Sequence, residues 1–231
     1  MDTVKLKPSY IVQYIHDRIY NIQIRNKLKS LGNAGKGVMI GLPSTIANPQ
    51  LVYLHDYTRI HQQHIIYNYT GKFIMKEYSV ASIGLLVVTG NHTPTVGIPQ
   101  YLLGASHIND KEKDIIVEED VWIGAKVTLL AGAHIGRGAI IGASSLVNKD
   151  IPPYAIAVGS PTRIIGAKFT IEQIIEHEKK LYPTEKRLSK EYLNNLFNTH
   201  FCGKKTLGLN VDLDQFNFSQ IMEQYNFRYI K

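Results

Sequence analysis

From Val117 onward the apolar positions of this chain recur every six residues. Cut in sixes, the stretch reads VEEDVW, IGAKVT, LLAGAH, IGRGAI, IGASSL, VNKDIP. The first position is Val117, Ile123, Leu129, Ile135, Ile141 and Val147; the fifth is Val121, Val127, Ala133, Ala139, Ser145 and Ile151. The first is always aliphatic and the fifth always small or β-branched. With such residues at roughly a quarter of positions, six in six arises by chance about once in several thousand trials, before allowing for choice of phase. Looser blocks share the beat upstream. Leu54, Ile60 and Ile66 head one, with Thr58, His64 and Thr70 fifth. Met75, Ala81 and Val87 head another, with Ser79, Leu85 and Asn91 fifth. The row IGLPST at Ile40 reads as the opening one.

A period of six is neither 3.6 nor 2, so neither an amphipathic helix nor an alternating strand accounts for it. It predicts a chain that turns a corner every six residues. The aliphatic position points inward, the small one sits near the corner, and glycine relieves the backbone at the turn. Three sides make a triangular coil of about eighteen residues, each coil pairing with the next as parallel strands over a buried aliphatic column. The core is therefore expected to be all-β.

Two segments fall outside the beat. In residues 1–36, Tyr10-Ile11, Tyr14-Ile15, Ile19, Ile22 and Ile24 recur at helical spacing, and Gly32-Asn33 and Gly35 end the helix. In residues 169–231, Thr170-Ile171-Glu172-Gln173 forms a capping box. Ile171, Ile174, Ile175 and Leu181 mark one helical face, Pro183 ends it, and Ser189 caps a second helix through Leu193 and Phe197. A last short helix is expected in the aromatic tail from Asp212. These pieces would cover the exposed strand edges at the ends of a coil over 37–168.

The chain has 231 residues, 44% hydrophobic and 19% charged, the profile of a globular protein. No apolar run reaches the roughly 20 residues of a membrane span, and no secretory leader is expected at the N-terminus. Cys202 is the one cysteine; with no partner for a disulfide, it points to a reducing cytoplasm. Beside Phe201 it is expected to be a small buried hydrophobe rather than a nucleophile. The formal charge of +7 is spread along the chain without a nucleic-acid-binding frame.

Candidate chemistry sits where the beat fails. In VVTGNHTPTVG, His92 stands at the end of a strand and at the mouth of a long loop, residues 93–114. Long loops in compact domains are often functional, and histidine's unperturbed pKa suits a general base. No carboxylate lies within fifteen residues before it except Glu77, so its orienting group is left unassigned. His61 and His64, three apart on a coil row, would point in different directions, and no set of metal ligands is completed. His107 is expected to be solvated.

The period of six, the TGNH turn before an ejected loop, and the run DVWIGAKVTLLAGAHIGRGAIIGASSLVNKDIPPYAIAVGSPTRII together resemble the hexapeptide-repeat acyltransferases. The branch is that of maltose, galactoside and xenobiotic O-acetyltransferases and their polysaccharide-modifying relatives. The resemblance covers about residues 37–168 and is most specific over 121–163. It implies a left-handed parallel β-helix and a homotrimer with acetyl-coenzyme A between subunits. It makes His92 the catalytic base and implies no metal. It places Trp122, Gly124, Ala125, Gly142 and Ala143 along the cofactor, with Gly124 and Ala125 N–H groups facing the thioester. Asn148 lies at the next corner as a further cofactor-side candidate, and Lys149 and Arg163, which stay charged and reach out, would contact the cofactor's phosphates. Asn91, Tyr67 and Asn68 are the acceptor-side candidates, Tyr67 standing where relatives carry an asparagine. Glu118 in place of the usual glycine predicts an altered corner, and Ala125 in place of a hydroxyl removes side-chain help to the intermediate.

The function implied is transfer of acetyl from acetyl-coenzyme A to a sugar or polysaccharide-precursor hydroxyl. The implied place is the cytoplasm, with room for loose attachment to a membrane-bound polysaccharide assembly. The alternatives are an antibiotic or amino-sugar N-acetyltransferase and a non-catalytic scaffold. A zinc enzyme on the same coil is a further rival, but it needs two histidines about five apart, and His92 has no such companion before His107.

Overall fold

The computed structural model describes residues 8–211 and 213–225, apart from the side chains of residues 8–11 and 214. The six-residue beat becomes a three-faced prism. The first face stacks Asn33–Ala34, Val52–Leu54, Phe73–Met75, Ile115–Val117 and His134–Ile135. The second stacks Met39–Ile40, Arg59–Ile60, Val80–Ala81, Trp122–Ile123, Ile140–Ile141 and Ala155–Val158. The third stacks Ser44–Ile46, His64–Tyr67, Leu86–Val88, Thr128–Leu130 and Leu146–Val147. All of these neighbours run parallel. On the second face Ile40, Ile60, Ala81, Ile123, Ile141 and Ala157 stand in register, none more than 4% exposed. Burying each larger aliphatic contributes about 1.5–3 kcal/mol, and that column is what makes the coil stiff.

The fifth-position residues Val121, Val127, Ala133, Ala139, Ser145 and Ile151 are buried at the corners, as the pattern predicts. Thr70 and Asn91, read as fifth-position residues, are exposed instead, because each falls in an interruption. Glycine's role also differs from expectation. The left-handed backbone falls at the fourth position, at Asp120, Lys126, Gly132, Gly138 and Ser144. The second-position glycines serve close packing: a Cβ on Gly124 would lie 2.6 Å from the Ala143 nitrogen of the next coil.

Three insertions break the rhythm, the smallest adding two residues to the 20-residue turn from Ile40 to Ile60. Ile123 to Ile141 takes 18 residues for one turn of the coil. Ile60 to Ala81 takes 21, and Ala81 to Ile123 takes 42. The extra residues leave the prism at one corner, between the third and first faces.

Thr170 caps the helix Ile171–Leu181 by the full reciprocal box with Gln173, and Ser189 caps the helix Lys190–His200. With Leu193, Leu196 and Phe201, Ile174 extends the core over the last coil. Buried Glu178 ties the first of these helices down, accepting from Tyr154 Oη at 3.0 Å and Leu188 N–H and pairing with Arg137 at 3.3 Å. Arg163–Ala167 turns back antiparallel on Ala155–Val158 and is followed by Lys205–Thr206. The tail holds Phe218–Gln224 as a short helix; residue 212 and residues 226–231 lie outside the described residues.

Three expectations are corrected. The coil begins at Asn33, whose strand pairs with Val52–Leu54, before the expected boundary at 37. Cys202 is exposed, because Phe201 takes the inward position at the end of the helix Lys190–His200. The N-terminal helix (Pro8–Ser30) meets the core through Ile24, Leu28 and Leu31, whereas Tyr14, Ile15, Ile19 and Ile22 are 51–60% exposed. Of the stripe read from the sequence, Ile24 faces the coil, whereas Tyr14, Ile15, Ile19 and Ile22 face away from it.

Candidate active site

The interrupted corner gathers the reactive side chains. Gly90–Asn91 pairs antiparallel with Lys111–Glu112, forming a neck that ejects the loop. The loop is not structureless: it folds into a short helix, Gln100–Ser106, above His92. The neck is stapled to the other insertion. Glu112 accepts N–H bonds from Tyr69, Thr70 and Gly71 and the Thr89 hydroxyl at 2.8 Å. Burial disfavours its charge, but the N–H groups of Gly71 and Thr70 outweigh that and hold its carboxyl below the usual range.

Asp110 supplies the orienting group that the sequence left open. Its carboxylate lies 2.9 Å from His92 Nδ1 and 2.8 Å from His107 Nδ1. The bonds from His107 first and His92 second hold Asp110 below the ordinary carboxylate range. A carboxylate only accepts, so His92 Nδ1 carries a proton, and in the neutral imidazole the lone pair is then on Nε2. The residues upstream of His92 give no sign of Asp110, because it enters from the far side of the loop, eighteen residues downstream. His92 remains 44% exposed at the side chain. A Cβ at position 104 would sit 3.7 Å from Nε2, so Gly104 leaves the space in front of the base open. His107 is engaged rather than merely solvated: it stacks on Tyr69 at 4.4 Å. His92, His107 and Asp110 could each offer a ligand atom, all within 4.8 Å of one another, the one such group among the described residues.

The other candidates fall on two edges of the prism. Asn91, Tyr67, Asn148 and Lys149 lie with His92 along the edge between the third and first faces, all four exposed. Trp122 stands outward on the second face, 45% exposed. Ala125 and Ala143 follow at its far edge, and exposed Arg163 pairs beside Val158 there. The third face separates the two groups by a strand of three residues, Thr128–Leu130, which spans roughly 10 Å.

Three candidates do not present themselves as expected. Asn68 is 1% exposed, its side chain bonded to the Asn48 backbone N–H at 3.1 Å and O at 2.9 Å. Strand alternation turns it inward after outward Tyr67, so it braces the corner and cannot meet an acceptor. The Gly124 N–H donates to Ile141 O at 2.8 Å and is not free for an oxyanion. The space beside Gly142 is taken by Val158, 2.7 Å from a would-be Cβ, which leaves Ala143 as the exposed small residue of that pair. Glu118 does alter its corner, bonding Lys76 at 2.6 Å and His134 at 2.8 Å. His64 points inward, as its row position requires.

Residues 114–149 match the bacterial transferase hexapeptide (six repeats) family. A chloramphenicol acetyltransferase of Klebsiella aerogenes is 45% identical over 64 residues, which is 28% of this chain and 30% of that protein. The chain thus spans about a third of that relative's length. Among solved structures, a hexapeptide-repeat acetyltransferase of Vibrio cholerae complexed with acetyl-coenzyme A superposes with a TM-score of 0.55. The identity is 22%, covering 61% of this chain and 73% of that one. A maltose O-acetyltransferase of Clostridium difficile gives 0.54 at 25% identity, covering 61% and 72%. Right-handed crossovers are the rule for parallel strands, and this fold is the exception. Residues 114–149 thus carry the hexapeptide repeat, and the coil has the fold of these solved acetyltransferases, a left-handed parallel β-helix.

Proposed function

We propose that the protein is an acetyl-coenzyme A-dependent O-acetyltransferase acting on a hydroxyl of a sugar or polysaccharide precursor, with His92 as general base. The observation that carries this reading is the Asp110–His92 bond, which engages Nδ1 and leaves Nε2 as the ring nitrogen beside the gap that Gly104 keeps open. Acetyl-coenzyme A supplies an activated thioester. Nε2 takes the hydroxyl proton as the oxygen attacks the acetyl carbonyl, Asp110 steadies the imidazolium, and the same proton passes to the departing thiolate. No serine or cysteine is bonded to His92 among the described residues, which favours direct attack over an acyl-enzyme.

The two-edge arrangement supports a homotrimer. His92 with Lys149 and Asn148 would form one wall of a groove. Trp122, Ala125, Ala143 and Arg163 of a neighbouring copy would form the other, so neither wall is complete in one chain. Asn91 and Tyr67 lie on the acceptor side. The second reading, an antibiotic acceptor, is favoured by the chloramphenicol acetyltransferase relative. The two are separated by a thiol-release screen of simple sugars, nucleotide sugars, capsule-type oligosaccharides and chloramphenicol. Release with sugars alone supports the first reading, release with chloramphenicol alone the second, and release with neither sinks both. Asp110→Asn tests the base. It is expected to lower kcat by roughly tenfold or more with little change in KM, since the amide permits the wrong tautomer. A cluster of three ligand atoms also invites a metal reading. Chelation is expected to leave turnover unchanged; loss on chelation with recovery in zinc would place a metal at this site.

A further inference from the structure

We infer that the N-terminal helix forms a parallel three-stranded seam with the same helix of two further copies of this chain. From Val12 through Ile19 every side chain of the helix is exposed, so among the described residues nothing covers this stretch. An isolated helix of that length is marginal in water, and tertiary packing must supply what propensity does not. The large aliphatics on this free part and the turn beyond it are Val12, Ile15, Ile19 and Ile22, 51–67% exposed. Their spacing is three, four, three, which fits the a and d positions of two heptads in one way only. Asn26 and Lys29, at the next a and d positions, are polar and end the seam.

The opposite side of the helix is already used. Tyr20 Oη accepts from the Leu42 N–H, and Ile24 and Leu28 pack on the coil. The helix is therefore apolar on two sides. A helix lying on a membrane has one apolar face and one charged face, so this pattern suits a helix held between two protein surfaces. Residue type then fixes the count. All four seam positions are β-branched, and isoleucine at both a and d shifts parallel coiled coils from two strands toward three or four. Three agrees with the homotrimer proposed above, although the seam itself does not rest on acetyl transfer. Charge fixes the direction. Arg18 and Arg25 occupy g positions, and His16 and Gln23 occupy e positions. In parallel strands Arg18 faces Gln23 of its neighbour, whereas antiparallel pairing would set arginine against arginine.

The test uses the full chain with Cys202→Ser, so that a single introduced thiol reports. Ile19→Cys should form covalent dimers under mild oxidation at least about tenfold faster than Asp17→Cys, which sits on the outer f position. Sedimentation should give three chains per particle. Ile15→Asn with Ile19→Asn should abolish the disulfide pairing of a Val12→Cys reporter. Equal rates at 19 and 17, or a particle of two or four chains, would overturn the seam. So would Ile19→Cys protected only by vesicles containing about a third phosphatidylserine, which would mean a membrane covers this face. None of these readouts depends on activity, so the seam and the acetyltransfer reading fail separately.

Discussion

Rows 123–147 and the corner holding 67–72 and 89–114 use the same prism for opposite purposes. In the rows, each inward side chain has a neighbour one coil above and one below: Leu129 stacks between Val87 and Val147, fully buried. At the corner, three extra residues in one turn and a long insertion in the next bring the Asp110 carboxylate together with the imidazoles of His92 and His107. Regular repetition supplies stiffness, and the breaks in it supply reactive groups held to a stiff frame.

The largest expected effect separates these two roles. His92→Ala should lower kcat by about 10²–10⁴-fold while leaving the unfolding midpoint near its original value. Leu129→Ala should do the reverse, costing about 2–5 kcal/mol of stability in urea unfolding while turnover per folded molecule holds. If His92→Ala unfolds the protein, or Leu129→Ala abolishes turnover in folded molecules, the division of labour is wrong.

A sharper cut falls within the corner itself. Glu112 is the carboxylate that fastens one insertion to the other. Glu112→Gln removes the charge from the oxygen that three N–H groups share and sets an amide donor beside the Tyr69 N–H, at a cost of about 1–3 kcal/mol. The loss should be local. Hydrogen exchange at the amides of Tyr69, Thr70 and Gly71 should speed by roughly tenfold or more, with rows 123–147 unchanged. Uniform acceleration through the coil would show that the neck belongs to the rigid core after all.

The same contrast explains what could be read in advance. The rows were legible because burial there depends on position alone: a first-position aliphatic has nowhere to go but inward. The capping box at Thr170 was legible because its partners lie three residues apart. The corner was not. Asp110 reaches His92 only after the loop has folded back on its own neck, and no local spacing encodes that return. Asn68 is a candidate only because it follows Tyr67, which stands where relatives carry an asparagine, and strand alternation from Ile66 turns it inward. Cys202 went wrong for a similar reason, since Phe201 competes for the single inward position.

His64 offers the smallest test and the cleanest internal control on His92. It is the same residue type on a coil row, yet it is 1% exposed. Its Nδ1 faces the His61 carbonyl at 2.9 Å, which can only accept, so Nδ1 carries the proton. Ser44 Oγ, at 2.6 Å, therefore donates to Nε2. Burial pushes its pKa down, the His61 carbonyl opposes that, and Lys27 adds to it. The unfolded chain takes up this proton near pH 6.5, before the folded one does. Stability from His64 is thus present above about pH 6.5 and is lost as pH falls below it, by at most about 1.4 kcal/mol per pH unit. Urea midpoints measured from pH 7 to pH 5 should fall less steeply in His64→Gln than in the parent chain. Identical slopes would mean that the proton is accommodated without cost, and that burial in a row does not silence a histidine as the prism requires.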